Sequence, residues 1–376
     1  MRVSGRSSDE LVKVTRPFGQ GGGAIRRPFS STRTDACRSG SIRYALSVRR
    51  ILFALLLILG LAPGTWFYQP ADLWNPTASL RFAVVKLPPK ALLARHLGAF
   101  ELEGAWSLTS DYSAFGGYSA LLPRPGGRLM AIADNARRFE FSPPGVAYAP
   151  PISAEVLPGF ERVRINRDTE AATQDPATGT IWVAREDSNA ISRIYPASRS
   201  FANIRPIAMR DWSRNIGPEA MVRLHDGRFV VIDEGFGGFF EARQHPAVLF
   251  PRDPLLRDKT QQFTFAGSPN FSVTDMAQLP DGRVLVLQRR LLWPFPLHFA
   301  GRIVIADPKE IRPGKVWHAT EVAKLTSSLP VDNFEGMAIE PRADGRVTVW
   351  LISDDNHAAT QRTLLWKMVV DPARLP

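Results

Sequence analysis

The chain is poor in the residues that most often carry metal and covalent chemistry. Its 376 residues include one cysteine, Cys37, and six histidines that are scattered along the sequence. An intrachain disulfide is therefore excluded, and so is a zinc site built from several cysteines. The sequence also lacks the GxSxG nucleophile elbow, the HExxH zinc motif, the P-loop and the CxxC motif. An enzyme of the serine-hydrolase, zincin or P-loop class is not supported.

The positive charge of the chain is concentrated in its first 50 residues. The whole sequence has 47 Lys and Arg and 36 Asp and Glu, which gives a formal net charge of +11. The first 50 residues hold eleven of the basic and three of the acidic residues, so their charge is +8 and that of the remainder is +3. The body also has no zinc-finger spacing and no RNP-type pattern of aromatic and basic residues. We therefore expect no nucleic-acid partner.

An apolar segment follows the basic leader. Residues 51–61 are apolar, and the uncharged run continues to Tyr68. The apolar segment 51–61 has the length of a secretory h-region. The longer uncharged run to Tyr68 lies at the lower limit of the length needed to span a bilayer. We therefore expect residues 1–48 to be a disordered leader, or a stretch upstream of the true start, and residues 49–68 to be a signal peptide or signal anchor. The protein is expected to be exported, to the periplasm or to the periplasmic face of the inner membrane.

The sequence pattern of the rest of the chain is typical of a repeated β structure. Short runs of Val, Ile, Phe and Trp alternate with Gly, Pro and Asp-Gly turns, whereas a helical pattern is confined to residues 90–97. Five units recur at intervals of about 50 residues. Their first polar positions are Ser119, Glu170, Glu219, Asp275 and Glu335. A repeat of this length made of antiparallel strands predicts a β-propeller.

The predicted fold is all-β, a single propeller over residues 98–376 that is preceded by a linker at 69–97. The strand-like segment 100–108 is expected to pair with C-terminal strands and to close the ring, because open sheet edges invite aggregation. This arrangement gives five or six blades, and six is favoured. The Asp-Gly pairs at 226, 281 and 344 are predicted to form tight hairpin turns.

Acidic residues mark the ends of the predicted strands that lie opposite these turns. The start of the first strand and the end of the second strand share an edge of each hairpin, and a radial arrangement of blades brings these edges to one rim. The carboxylates expected there are Asp134, Glu170, Glu186, Glu219, Asp233, Glu234, Asp275, Glu335, Asp354 and Asp355. Crowded carboxylates have raised pKa values or recruit cations, and ligands that are all oxygen favour Ca²⁺. The alternative is that the acids cap loops or pair with arginines.

Several segments resemble the phytase-like family, whose members are labelled with the esterase-like activity of phytase. The most specific are 332–338 (DNFEGMA), 344–345 (DG) and 351–356 (LISDDN), with weaker support from 168–171 and 274–290. The resemblance covers residues 98–370. It implies an exported bacterial propeller related in shape to alkaline phytases, which use Ca²⁺ on an acidic face to cleave phosphate monoesters. The acidic-face positions that it implies here are Glu170, Glu219, Asp275, Glu335, Asp354, Asp355 and Asn356.

The function expected from these observations is metal-dependent hydrolysis of a phosphate ester or another small ester. Ca²⁺ is the expected cofactor. Its expected ligands are Glu219, Asp275, Glu335, Asp354, Asp355 and Asn356. Glu170 is expected to act as the general base. Arg185, Arg289 and Arg290 are expected to bind the substrate phosphate.

Two other functions remain open at the level of the sequence. Propellers host many unrelated functions, so the fold does not decide between them. The first alternative is a non-catalytic envelope propeller whose rim binds a ligand or a protein. The second is lactonase chemistry on a Ca²⁺-binding propeller, which uses similar oxygen ligands. Unit four departs from the pattern because its second strand ends in Gln288 and not in an acid.

Overall fold

The computed structural model describes part of the chain, and the contacts divide it into two units, Met1–Leu61 and Ala62–Pro376. The described residues are 48–57, 60, 79–160, 167–195, 197–213, 216–235, 244–294 and 297–376. The expected leader up to residue 47 and the segment 61–68 lie outside them. In the first unit a helix, α1, spans residues 48–57 with exposed side chains. Among the described residues there is no helix whose length and apolar character would suffice to cross a membrane.

The second unit is built from five blades, mainly of antiparallel strands, in its described part. Three elements precede the first blade: β1 (Leu80–Val84), α2 (Lys90–Leu97) and β2 (Glu101–Ser110). Blade 1 contains β3 (Tyr118–Arg124), β4 (Arg128–Ala133), β5 (Arg137–Phe141) and β6 (Ile152–Val156). Blade 2 contains β7 (Thr169–Gln174), β8 (Ile181–Arg185), β9 (Ala190–Tyr195) and β10 (Ser200–Ile204).

The remaining blades follow in chain order. Blade 3 contains β11 (Pro218–Arg223), β12 (Phe229–Asp233), β13 (His245–Phe250), β14 (Gln261–Ala266) and β18 (Val316–His318), which joins β14 in parallel. Blade 4 contains β15 (Ser272–Gln278), β16 (Val284–Pro294), β17 (Leu297–Ala306) and β19 (Thr320–Leu325). Blade 5 contains β20 (Asn333–Pro341), β21 (Val347–Asp354) and β22 (Leu364–Val370), and β2 and β1 extend it.

The pairing of β2 with β22 closes the ring. The two strands are antiparallel, and Ala105 lies opposite Trp366 in their register. The predicted closure by residues 100–108 is therefore confirmed. The favoured count of six blades is wrong, because β2 completes the sheet that β20, β21 and β22 begin and does not start a sheet of its own. The predicted helical stretch is confirmed as α2, which buries Leu93 and Leu97 in the core.

The hydrophobic core lies between neighbouring blades. Trp182 of blade 2 packs edge-on against Phe229 of blade 3, with ring centroids 4.9 Å apart. Val230 of blade 3 and Val286 of blade 4 share another cluster. Both faces of the inner strands are covered, which explains why these strands read as continuous apolar runs. Each fully buried aliphatic or aromatic side chain stabilises the folded state by about 1.5–3 kcal/mol. The contacts between blades therefore hold the inner strands in place around the axis.

The Asp-Gly turns lie at the ends of the hairpins away from the acidic strand ends, as predicted. In each turn the aspartate accepts a hydrogen bond from the backbone N–H two residues later. The glycines Gly227, Gly282 and Gly345 have φ values of 88°, 97° and 81°. This left-handed region favours glycine, so the three pairs are turn residues.

Candidate functional site: a cluster of axial carboxylates

A β-bulge interrupts the first strand of every blade close to its beginning. The bulged residues are Ser119, Glu170, Glu219, Thr274 and Glu335. A bulge redirects a side chain that regular pleating would point along the sheet face. In blade 4 the bulged position is Thr274, one residue before the acid that the repeat alignment assigned to it. Three of the five blades therefore present a glutamate at this special position.

These three glutamates meet. Glu170, Glu219 and Glu335 each place one carboxylate oxygen within 4.8 Å of the oxygens of the other two. They belong to blades 2, 3 and 5, so the contact depends on the closed ring and not on local sequence. Glu219 and Glu335 are each only 5% exposed. A buried group of three carboxylates is the arrangement expected of a cation site.

Two further groups of the same dimensions share members with the first. One consists of Asp168, Glu170 and Glu186, and the other of Glu186, Glu219 and Glu234. Burial, followed by repulsion from Asp187, raises the pKa of Asp168, while Glu170 and Glu186 lower it through side-chain hydrogen bonding. We call the six acids of the three groups the axial carboxylate cluster: Asp168, Glu170, Glu186, Glu219, Glu234 and Glu335.

Burial and mutual repulsion make these acids hard to ionise. Burial, followed by repulsion from Glu335 and Asp168, raises the pKa of Glu170 well above its ordinary value. The pKa of Glu219 is also raised well above its ordinary value, by burial and then by repulsion from Glu170. Burial and the neighbouring Asp168 raise the pKa of Glu186 to about 7. Such carboxylates are protonated or are neutralised by a cation.

Arg289 is the arginine for which ion pairs with the cluster are found among the described residues. Its Nε lies 3.3 Å from Glu335 Oε1, and its Nη2 lies 4.0 Å from Glu234 Oε1. Its Nη1 donates a hydrogen bond to Asn333 Oδ1. Burial opposes its charge, but Glu335 and Glu219 raise the pKa of Arg289 above its ordinary value. Arg289 thus places one positive charge beside the six acids of the cluster.

The structure places Asp275 differently from the glutamates. Its two carboxylate oxygens accept hydrogen bonds from the backbone N–H groups of Met276 at 2.8 Å and Met337 at 2.7 Å. It thereby connects β15 to β20, and it belongs to none of the three carboxylate groups found in the described part of the chain. Burial raises its pKa well above the ordinary value.

The C-terminal acids lie at the margin of the cluster. Repulsion from Glu335 reaches Asp354 and, together with the larger effect of burial, raises its pKa well above the ordinary value. Asp355 accepts hydrogen bonds from Thr363 Oγ1 and from the backbone N–H of Gly117, which ties blade 5 to blade 1. Asn356 donates to Gln361 within the same loop. The structure brings none of these three into the groups of described carboxylates that meet within 4.8 Å.

The three predicted phosphate-binding arginines are dispersed. Arg289 lies in the cluster, as described above. Arg290 is exposed, because neighbouring residues on a strand point to opposite faces. Arg185 lies over the ring of Phe160, with its guanidinium carbon 5.7 Å from the ring centroid. It lines a cavity that includes none of the six acids of the axial carboxylate cluster.

Two further residues, Asp168 and His357, lie near the site. Asp168 lies just before β7, which begins at Thr169, and the bulge at Glu170 breaks the regular alternation, so strand periodicity alone did not predict their contact. For His357 the sequence favours an exposed loop position, with a place at the rim as the alternative, and the side chain is only 13% exposed. It lies close enough to Asp134 to lower the pKa of that acid, against a larger upward effect of burial. Its position follows from the left-handed turn at Asn356 and His357, where φ is 47° and 48°.

Comparison with known proteins identifies the family. The family model described as Phytase-like, esterase-like activity of phytase, matches residues 113–357. The match covers more than half of the chain, and the chain belongs to this family. The resemblance seen in the sequence is therefore confirmed. No curated protein sequence matches the chain significantly.

Solved structures show only a distant likeness. Glutaminyl cyclase of Myxococcus xanthus has 11% identity over 72% of this chain and 96% of its own, with a TM-score of 0.39. A gluconolactonase of Xanthomonas campestris has 14% identity over 81% of this chain and 97% of its own, with a TM-score of 0.35. A chain of the nidogen/laminin complex has 9% identity over 78% and 98%, with a TM-score of 0.39. Similarities of this size carry no conclusion about function.

Proposed function

We propose that this protein is a metal-dependent hydrolase of phosphate esters and that the axial carboxylate cluster is its active site. The observation that carries the proposal is the meeting of Glu170, Glu219 and Glu335 from three blades, with carboxylate oxygens within 4.8 Å of one another. Membership of the phytase-like family supports the class of reaction. The cluster collects negative charge where a closed fold leaves little water to stabilise it.

The chemistry of the donors fits a hard divalent cation. Carboxylate oxygens are the ligands that Ca²⁺ prefers, and the cluster contains neither cysteine nor histidine. We assign the holding of the ion to Glu170, Glu219 and Glu335. Glu170, which the sequence suggested as a general base, is thereby assigned to the ligands. Asp275, Asp355 and Asn356 are left out of this set because their side chains already hold backbone or neighbouring side chains.

Glu186 and Arg289 have different roles in the proposed reaction. When bound, Ca²⁺ would lower the pKa of a coordinated water and screen the negative charge of the phosphate. Glu186 is the better general base, because its pKa of about 7 matches proton transfer near neutral pH and it belongs to two of the three groups. Arg289 keeps Glu335 in place, and its partly exposed guanidinium offers N–H donors to a phosphate oxygen.

Export forms part of the proposal. The apolar residues 51–61 behind a basic leader support it, and α1 occupies much of this segment. Cell fractionation of the full-length protein with a C-terminal tag tests it. Recovery in the periplasmic or membrane fraction is expected, and recovery only in the cytoplasmic fraction would contradict it.

The enzymatic proposal is tested by turnover of a panel of phosphate monoesters, including phytate and p-nitrophenyl phosphate. Activity is expected with Ca²⁺ and is expected to disappear with a chelator. Glu219→Gln should lower kcat by at least about 100-fold, because it removes a charged ligand. Asp344→Asn, in an exposed turn far along the hairpin, is the matched control and should be active. Activity that resists both the chelator and Glu219→Gln would contradict the proposal.

A non-catalytic binding module is the second candidate. The ion pair of Arg289 with Glu335, 3.3 Å long, favours it, because the cluster is then neutralised in part from within. In this case Ca²⁺ or a cationic partner group would bind the cluster, but no ester of the panel would be hydrolysed. Binding without turnover, measured on the same preparation, distinguishes this candidate from the enzyme.

A further inference from the structure

A second cavity lies on the flank of the propeller, between blades 2 and 3. It has a volume of about 620 Å³, which is within the range of small-molecule sites. Arg185, Asp187 and Ser188 line it from blade 2, followed by residues 203–208. Phe250, together with residues of the loop after it, closes the other side. We call this space the flank cavity, and it shares no lining residue with the axial carboxylate cluster.

A buried cation lines the flank cavity. Arg185 is only 8% exposed. Its Nε has no hydrogen-bond acceptor among the residues that the structure describes. The guanidinium is packed over the ring of Phe160, which fixes its position but accepts no conventional hydrogen bond. A buried charged donor without an acceptor is costly, so this arrangement favours an acceptor that comes from outside the chain.

An anion in the same state lies beside it. Both carboxylate oxygens of Asp187 are shielded from water and lack a donor within the described ranges, and so does Ser188 Oγ. Asp187 attracts Arg185 electrostatically, but the two form no hydrogen bond. The cavity therefore presents a cation and an anion that attract each other but whose buried polar atoms have no hydrogen-bond partner among the described residues.

The rest of the wall contains the exposed side chains of Arg205 and Arg257 together with apolar surface. Ile204, Ala208 and Phe250 line the cavity together with Pro206 and Pro254. Apolar walls with a few polar groups that fix orientation are typical of small-molecule sites. A simple anion such as phosphate would be attracted by Arg185 and by Arg205 and Arg257 of the wall. It would leave Asp187 without a partner and the apolar wall without a contact.

We propose that the flank cavity binds a small zwitterion, an α-amino acid with an apolar side chain. Arg185 receives the carboxylate, Asp187 receives the ammonium group, and the side chain packs on Ile204 and Phe250. The flank cavity has no lining residue in common with the axial carboxylate cluster, although the charge of Asp187 acts on Asp168 of that cluster. No bond is made or broken in the flank cavity.

The test begins with the full chain in the presence of EDTA, which removes cations from the axial carboxylate cluster. A thermal-shift screen over the common L-amino acids at about 10 mM identifies the best apolar one, because a ligand of the folded state raises Tm by mass action. Calorimetry then compares this amino acid with its carboxamide, which lacks the carboxylate, and with its des-amino acid, which lacks the ammonium. Each analogue is expected to bind at least about tenfold more weakly.

Two substitutions assign the charges. In Arg185→Gln the amino acid should lose its advantage over the carboxamide. In Asp187→Asn, which is nearly isosteric, it should lose its advantage over the des-amino acid. Lys259→Gln is the matched control, because Lys259 is exposed and neighbours the cavity loop without lining the cavity. It should leave all three affinities unchanged. If Arg185→Gln does not fold, the comparison of analogues and Asp187→Asn still decide the matter.

Three results would overturn the inference. The first is that none of the apolar amino acids raises Tm. The second is that the analogues bind as well as the amino acid. The third is that inorganic phosphate binds and Asp187→Asn tightens it, which would define a plain anion site. Turnover of the phosphate-ester panel by the unsubstituted protein with Ca²⁺ is measured separately, so failure here is distinguishable from failure of the proposed function.

Discussion

At the scale of single residues, the hydrogen bonds that a carboxylate already accepts determine whether it is available to bind a cation. The oxygens of Asp275 are occupied by two backbone N–H groups. Those of Glu170, Glu219 and Glu335 face one another. A repeat alignment treats these positions as equivalent. The distinction arises because Thr274, and not Asp275, occupies the bulge in blade 4.

This distinction predicts that Asp275 stabilises the fold and does not hold the metal. Asp275→Ala removes the acceptors of two buried N–H groups, so the free energy of unfolding should fall by about 2–4 kcal/mol. Denaturant unfolding measures this loss. The Ca²⁺ affinity of the folded variant should be close to that of the wild type. An unchanged stability combined with a lost Ca²⁺ affinity would instead make Asp275 a ligand.

Glu186 carries the prediction about catalysis. Glu186→Gln removes the proposed base, so kcat should fall by about 10²–10⁴. In the wild type the rate should rise with pH as Glu186 loses its proton, with a midpoint near or below 7 because a bound cation favours the charged form. The pH–rate profile of the variant should lack this rise. A profile that keeps the same midpoint would assign the titration to another group.

At the scale of strands and helices, local patterns predict more than long-range pairings do. The helical stretch at Lys90–Leu97 and the Asp-Gly turns follow from neighbouring residues alone, and the structure confirms them. The blade count does not, because it depends on whether β2 joins β22, some 260 residues away, or begins a sheet of its own. Alternation on a strand does predict that Arg289 and Arg290 point to opposite faces, but not which of them points to the axis.

The junction of blades 5 and 1 provides a prediction at this scale. Gly336 follows the bulged Glu335, where blades 2 and 3 have alanines. A Cβ at Gly336 would lie 2.7 Å from Ile352 Cγ2 and 2.9 Å from the backbone of Ala120 and Leu121. Gly336→Ala should therefore destabilise the protein by about 1–3 kcal/mol through overpacking, as measured by thermal or denaturant unfolding. A variant as stable as the wild type would show that blades 5 and 1 are farther apart than described.

At the scale of the whole molecule, the site exists because a ring of blades is closed. Glu170, Glu219 and Glu335 are far apart in sequence and meet only when blades 2, 3 and 5 surround one axis. The sequence could predict that acids gather on one rim, since hairpin geometry requires it. It could not predict which of the ten candidate acids are in contact, because the bulges and the closure of the ring determine the distances between their carboxylate oxygens.

The acids buried by the closed ring also make the free energy of unfolding depend on pH. Glu186 and Asp233 have pKa values of about 7 in the folded protein, above the value of about 4 of an unfolded chain. Between pH 4 and 7 the folded state therefore holds more protons, so in a chelator the free energy of unfolding falls as the pH rises through this window. A cation that binds the cluster opposes this fall, because it favours the ionised carboxylates.

The most direct test of the central claim is the Tm of the full-length protein at about pH 7.5, measured with EDTA and then with increasing Ca²⁺. The axial carboxylate cluster as a cation site predicts that Ca²⁺ raises Tm in a saturable manner. It also predicts that Glu219→Gln abolishes this rise while the turn variant Asp344→Asn keeps it. A Tm that does not respond to Ca²⁺ in the wild type, or a response that survives in Glu219→Gln, would contradict the claim.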